Sequence, residues 1–287
     1  MANLKEIRNR ITSVKSTMQI TSAMKMVSAA KLKKAQDAIT AMRPYANKLT
    51  ELLQNLSASL DADNGSKFST DRDVKNVLVV AITSNRGLCG AFNSNIIKEA
   101  HRLAKEAYAD KQVHFITIGK KGNDILKKSY TVVENNNEVF DDLTFENVAT
   151  IAEKLMQLFV EGTYDKIALV YNKFKNAATQ VVTKEQFLPI VASEGEGTSA
   201  NSDYVFEPSA AEIVETLIPK SLKTQLYKAV RDSFASEHGA RMTAMHKATD
   251  NAGELRDSLT LIYNKARQAA ITNEILEIVG GAEALNN

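Results

Sequence analysis

The chain has 287 residues, 44% of them hydrophobic, and a formal net charge of +2. That is enough for about two soluble domains. A single cysteine, Cys89, excludes an intramolecular disulfide and fits a reducing compartment, and no apolar run approaches the ~18 residues of a membrane span.

The first segment, residues 2 to about 57, reads as one long helix. Residues 1–10 are already part of it and lack the apolar core and cleavage site of a secretory signal. Apolar residues step by three and four: Leu4, Ile7, Ile11, Val14, Met18, then Leu32, Ala35, Ile39, Met42, Leu49, Leu53, Leu56 and Leu60. This is heptad spacing. Between the two runs the seam turns polar at Thr21, Lys25 and Ser28, while Met24, Met26 and Val27 fall off it. About 56 helical residues extend about 84 Å, too long for one globular core, so the helix needs another long helix as partner. Residues 1–48 also carry ten Lys and Arg against Glu6 and Asp37, which suits an acidic partner, although a solvated basic face is the plainer reading. Residues 61–73 read as a polar loop.

The middle segment alternates short β-branched runs with helical stretches. "VLVVAIT" (77–83), "VHFITI" (113–118), "IALVYNKF" (167–174) and "TQVVTKEQFLPI" (179–190) are the strands. Helices lie near 93–109 and 145–161. This is the βαβ rhythm of a parallel sheet covered by helices, and "SEGEGTSANSD" (193–203) follows as a connector.

The last segment opens with Ser209 and Glu212 as a capping box. Apolar positions recur at Ile213, Leu217, Leu222, Leu226, Val230 and Phe234, then at Met245, Ala248, Ala252, Leu255, Leu259, Ile262 and Ala266. Pro219 should kink this helix. "TDNAG" (249–253) alone would be a turn, but the seam runs through it in phase. Gly280 and Gly281 should end the helix. Antiparallel pairing sets Leu4 against Ile262, Ile7 against Leu259, Ile11 against Leu255, Val14 against Ala252 and Met18 against Ala248. Large residues face small ones in the last two layers. The same register puts Lys25 opposite Arg241 and Ser28 opposite His238, so the polar breaks coincide. Two facing cations repel unless they splay toward a partner. Beyond Ala266 the apolar phase shifts to Ile271, Ile275 and Ile278, which marks an unpaired overhang that something else must sheathe.

The expected class is α/β: a long antiparallel coiled coil of N- and C-terminal helices (1–60 and 208–287) plus a central Rossmann-like α/β domain (74–195). The residues also resemble a known family. "LKEIRNRITSVKSTMQITSAMKMVSAAKLKKAQ", "NRGLCGAFN" (85–93), "SEHGARMTAMHKATDNAGEL" (236–255) and "YNKARQAAITNEILEIVGGA" (263–282) are similar, in order and in register, to motifs of the gamma subunits of F-type ATP synthases. The resemblance implies a non-catalytic central rotor stalk. It implies one copy per complex, inside an alpha3beta3 hexamer and resting on the epsilon subunit and the c-ring, at the cytoplasmic face of a bacterial inner membrane. It further implies coupling contacts with beta at Met24, Lys25, Val27, Arg241, Arg267 and Gln268. Tyr204, Phe206 and Glu207 are implied as foot contacts with epsilon and the c-ring. No cofactor, metal or nucleic acid is expected.

Plainer readings stand beside these. Met24, Met26 and Val27 could pack on the central domain, and Arg267 could be a solvated helix charge. "RGLCG" follows a strand and precedes a helix but lacks the phosphate-loop and dinucleotide patterns. It reads as a structural turn, with Cys89 a buried small residue rather than a nucleophile. The four scattered His form no metal cluster. The rivals are a nucleotide-binding enzyme on the central domain, a generic coiled-coil scaffold, and a basic nucleic-acid binder with steep salt dependence.

Overall fold

The computed structural model describes residues 4–59, 67–68, 72–190 and 210–285. Two long helices, α1 (Leu4–Ser59) and α5 (Ala210–Leu285), bracket a five-stranded sheet with its own helices. The chain forms two compact units. One holds the residues up to Ser28 and from Met242 onward, and the other holds Ala29–Arg241. The capping residue Ser209, the connector 193–203 and the foot residues Tyr204, Phe206 and Glu207 lie outside the described residues.

The sheet comprises β1 (Asn76–Ile82), β2 (Gln112–Ile118), β3 (Val132–Asn135), β4 (Lys166–Phe174) and β5 (Gln180–Leu188), in the order β3-β2-β1-β4-β5. β1, β2, β3 and β4 are parallel, and β5 runs antiparallel to β4. The all-parallel expectation fails there for a simple reason. Only residues 175–179 separate β4 from β5, and a parallel crossover needs a dozen or more. Strand β1 is central, so its alternating residues serve two cores. Leu78, Val80 and Ile82 join Val148, Ile151, Leu155 and Phe159 of α4 (Phe145–Val160) and Leu222, Leu226 and Val230 of α5. Val77, Val79 and Ala81 join Ile96 and Ala100 of α2 (Phe92–Arg102), with Leu126 of α3 (Lys120–Leu126). A π-helical turn, Leu103–Ala107, extends α2. The sequence pattern omitted α3 and β3, which are seven and four residues long.

In the first unit α1 and α5 pair antiparallel, but not in the expected register. The Thr21 and Thr249 hydroxyls lie 2.8 Å apart, whereas the Leu4–Ile262 alignment would bring Met245 to Thr21. The pairing is therefore displaced by four residues, close to one helical turn. Arg8 Nη2 donates to the Tyr263 hydroxyl at 2.6 Å, and Arg256 Nη1 approaches Met18 Sδ at 3.9 Å. The seam on α5 is thus Met245, Thr249, Ala252, Arg256, Leu259, Tyr263 and Ala266. Ala248 yields its place to Thr249, while Leu255 and Ile262, expected inside, are exposed. The reason is energetic. The Thr21 and Thr249 hydroxyls and the Arg256 guanidinium find partners across the seam where they are partly buried, and a buried polar group without one costs about 1–3 kcal/mol. The apolar side chains one residue earlier are left facing out.

Helix α5 passes unbroken through "TDNAG", as the phase of the seam implied, and also through Gly280 and Gly281, which were expected to end it. Among the described residues, nothing beyond the helix's own backbone lies within 4 Å of the Cβ position at either glycine, so neither makes the close approach that often accompanies a helix stop. The register gives a direct expectation. Cysteines placed together at Thr21 and Thr249 should oxidise to a disulfide without distorting the helices, because the mean Cβ separation of such bridges is about 3.8 Å. Non-reducing electrophoresis with a Cys89→Ser background checks it, and failure to cross-link would restore the register with Met245 opposite Thr21.

Candidate partner-contact site

The contact stretch on α1 is built by the mismatch between heptad and sequence. Thr21 and Ser28 occupy the seam and are buried, and the Ser28 hydroxyl donates to the Met24 carbonyl at 2.7 Å. With the seam filled by small polar groups, the larger apolar side chains turn outward. Met26 is 65% and Val27 57% exposed, while Met24 and Lys25 are half-buried. Within their own unit Met26 and Val27 join no core among the described residues. The sequence reading missed Ile20, which is 61% exposed. Ile20, Met24 and Val27 fall at helical spacings of four and three, so they share one face. The signal was available: Ile20 directly precedes the polar break and lies off the seam.

The distal part of α5 repeats the pattern on a larger scale. Leu255, Leu261 and Ile262 are exposed, and every side chain from Ile271 to Glu283 is exposed. Ile271, Ile275, Leu276, Ile278 and Val279 give this stretch apolar patches with no cover among the described residues. Arg267 and Gln268 sit just before it and are exposed, and the Gln268 carbonyl accepts from the Thr272 hydroxyl at 2.9 Å. A soluble chain rarely leaves so much aliphatic surface bare unless a partner covers it.

Arg241 belongs to the other compact unit, and its place differs from expectation. Its side chain does not splay outward but is buried, with Nη1 donating to Glu237 Oε1 at 2.5 Å. Nη2 reaches the carbonyls of Arg86 and Gly87 at 3.2 and 3.4 Å. Burial pushes the Glu237 carboxyl up while the Arg241 guanidinium opposes it. His238 stands edge-on to Phe234. Burial, with the Arg241 and Lys31 cations beside it, holds His238 down to about 3, so it adds no charge near neutral pH.

The loop that Arg241 grips is the "RGLCG" turn. The Ser84 hydroxyl donates to the Arg86 carbonyl at 2.7 Å, and the Ser84 amide to Asn93 Oδ1 at 2.9 Å. Asn93 Nδ2 in turn reaches Cys89 Sγ at 3.2 Å. Cys89 is buried and burial raises its thiol, so it is not poised as a nucleophile. At the carboxyl ends of the strands, where open α/β sheets take ligands, the loops bond to one another. Asn85 Nδ2 donates to the Asn137 carbonyl at 2.8 Å and its Oδ1 accepts from the Lys120 amide at 3.0 Å. Thr83 Oγ1 accepts from the Gly122 amide at 2.9 Å. The Lys120 and Gly122 amides are thus already paired within the chain.

Comparison with known proteins follows this geometry. A family profile described as ATP synthase matches residues 3–285. The chain is 73% identical over 285 residues to the ATP synthase gamma chain of Flavobacterium psychrophilum, covering 99% of each chain. It is 72% identical to that of Flavobacterium johnsoniae over the full length of both. Among solved structures, a Euglena gracilis mitochondrial ATP synthase, OSCP/F1/c-ring in rotational state 3, contains a chain of like fold. It has a TM-score of 0.74 and 24% identity, over 98% of this chain and 94% of that one. The central stalk/c-ring structure of Tetrahymena thermophila mitochondrial ATP synthase gives a TM-score of 0.59 at 27% identity, over 80% of this chain and 99% of that one.

Proposed function

From the premise that this chain belongs to the ATP synthase gamma-chain family, we propose that it is a rotor shaft with no catalytic group of its own. It carries the turning of a c-ring to the catalytic beta subunits during ATP synthesis, and the reverse during hydrolysis. One copy stands inside an alpha3beta3 hexamer and joins epsilon and the c-ring below. The complex holds it at the cytoplasmic face of a bacterial inner membrane, and no helix among the described residues is long and apolar enough to cross a membrane.

The observation that carries this reading is the apolar surface on the outside of the coiled coil. Its seam is cross-bonded through Thr21, Thr249, Arg8 and Tyr263, while Ile20, Met26, Val27, Leu255 and Ile262 face outward. A scaffold stabilised by its own seam gains nothing from exposed aliphatic rows. A shaft that must slide against a surrounding ring does. Met24, Lys25 and Val27 are the coupling contact on α1, where cation and apolar surface meet an acidic loop of beta. Arg267 and Gln268 are the corresponding contact on α5. Tyr204, Phe206 and Glu207 serve the foot.

The test is mechanical. With the alpha3beta3 ring fixed to a surface and a probe bound to the sheet domain, ATP should turn the probe continuously in one direction. Hydrolysis by such complexes with a probe that never rotates would end the proposal. The isolated chain should bind no ATP and hydrolyse none.

A further inference from the structure

Helix α5 leaves the sheet-bearing unit at Arg241 and continues as the same helix to Leu285. Along the stretch before that point it is held in several ways. Ile218, Leu222, Leu226, Ala229 and Val230 share the core of the sheet. Arg231 Nη2 donates to the Leu143 carbonyl at 2.8 Å, and Lys223 pairs with Glu153 at 2.5 Å in contact with solvent. Apolar burial resists separation but has no preferred direction, and a solvated ion pair contributes little.

At the exit the contacts change in kind. The Ser236 hydroxyl donates to the Asn172 carbonyl at 2.9 Å. Gly239 lies so near Ala177 that a Cβ would meet its carbonyl oxygen at 3.1 Å. Ala240 closes over Cys89 and Phe92. Above them the Arg241 guanidinium, only 8% exposed and paired with a Glu237 side chain 10% exposed, spans the Arg86 and Gly87 carbonyls. A planar fork held from both sides fixes orientation as well as distance. A rod gripped over part of its length and twisted beyond the grip is loaded most heavily near the end of that grip, and Arg241 is the last residue of α5 that belongs to the sheet-bearing unit.

We propose that Arg241, held by Glu237, is a positioning residue that locks the rotational setting of α5 to the turn between β1 and α2. Twist then passes between the sheet domain and the helix without slip. This rests on the rotor reading, and it gives Arg241 a task inside the chain in place of contact with beta.

The experiment uses the assembled complex, fixed through alpha3beta3, with a probe on Lys105→Cys in a Cys89→Ser background. The parent probe should turn with ATP. A parent probe that never turns overturns the rotor reading and the lock together. The Glu237→Leu/Arg241→Met double variant replaces the buried pair with apolar groups, an exchange that folded proteins often tolerate. Its assembled complexes should hydrolyse ATP as the parent does. Their probes, paused without ATP, should spread over angles with about two-fold greater variance, because the directional contacts at the exit are lost. Parent-like variance overturns the lock while leaving the rotor intact. A merely structural role would lower the yield of complexes and leave the spread of those that form unchanged. Should the double variant not assemble, Arg241→Lys keeps a charge for Glu237 and loses the fork. Its complexes should also show a broadened spread, and a parent-like spread there overturns the lock.

Discussion

A Met26→Cys shaft joined by a disulfide to a beta subunit, in a Cys89→Ser background, will stop multi-turnover ATP hydrolysis, and reductant will restore it. Met26 is the most exposed large apolar side chain of its stretch, at 65%, so the substitution removes little packing and the sulfur is reachable from outside. The bond ties a turning body to a stationary one, and each beta subunit needs the shaft in several orientations to finish its cycle. The loss should be nearly complete in cross-linked complexes. A Thr21–Thr249 disulfide, which joins two parts of the same turning body, should leave the rate close to that of the parent. Cross-linked Met26→Cys complexes that continue to hydrolyse ATP over many turnovers would show that this chain does not rotate against beta.

Gly119→Ala should unfold the sheet domain or come close to it. Gly119 has φ of +113°, and an added Cβ would lie 2.2 Å from the Thr83 carbonyl oxygen and 2.7 Å from its carbon. Both are backbone atoms of the neighbouring parallel chain, fixed by the Thr83 amide bond to the Ile118 carbonyl at 2.8 Å. Neither can step aside as a side chain tip would. The backbone conformation alone costs on the order of 1–3 kcal/mol for a residue with a Cβ, and the overlap adds to it. The total is a large share of the 5–15 kcal/mol that holds a typical domain. The expected result is loss of the subunit from purified complexes, or rapid proteolysis between β1 and β2. Gly253→Ala is the control: its Cβ meets nothing within 4 Å in the middle of α5, and it should stabilise the helix by roughly 0.5–1 kcal/mol. Equal assembly of the two variants would contradict the packing at Thr83.

The two long helices were legible because their periodicity persists over many turns, and the longer strands because β1, β2 and β4 are continuous buried runs. The register was not. Heptad reasoning treats Leu255 and Ile262 as seam residues because they are apolar, yet Arg256 and Tyr263 take those places by bonding across the seam. Hydrophobicity ranks side chains by what they avoid and is silent about which partners a polar group will find. The same blindness hid the bonds of Arg241, whose sequence neighbours say nothing of two carbonyls about 155 residues away. The outward turn of Met26 and Val27 was legible, since a polar seam leaves the adjacent apolar side chains nowhere else to go.

The bond between Thr21 and Thr249 spans 228 positions of the chain, and that separation has a consequence in time. A ribosome adds about 5–20 residues per second, so the first strand of the coil waits roughly ten to forty-five seconds for its mate to be synthesised. Through that interval Leu4, Ile7, Ile11, Val14 and Met18 have no complementary helix, and a lone helix in water is only marginally stable. The strands between them are finished first, but one face of their sheet waits for Leu222, Leu226 and Val230 of α5. The nascent shaft is therefore a half-zipper until α5, 76 of the 287 residues, has been made.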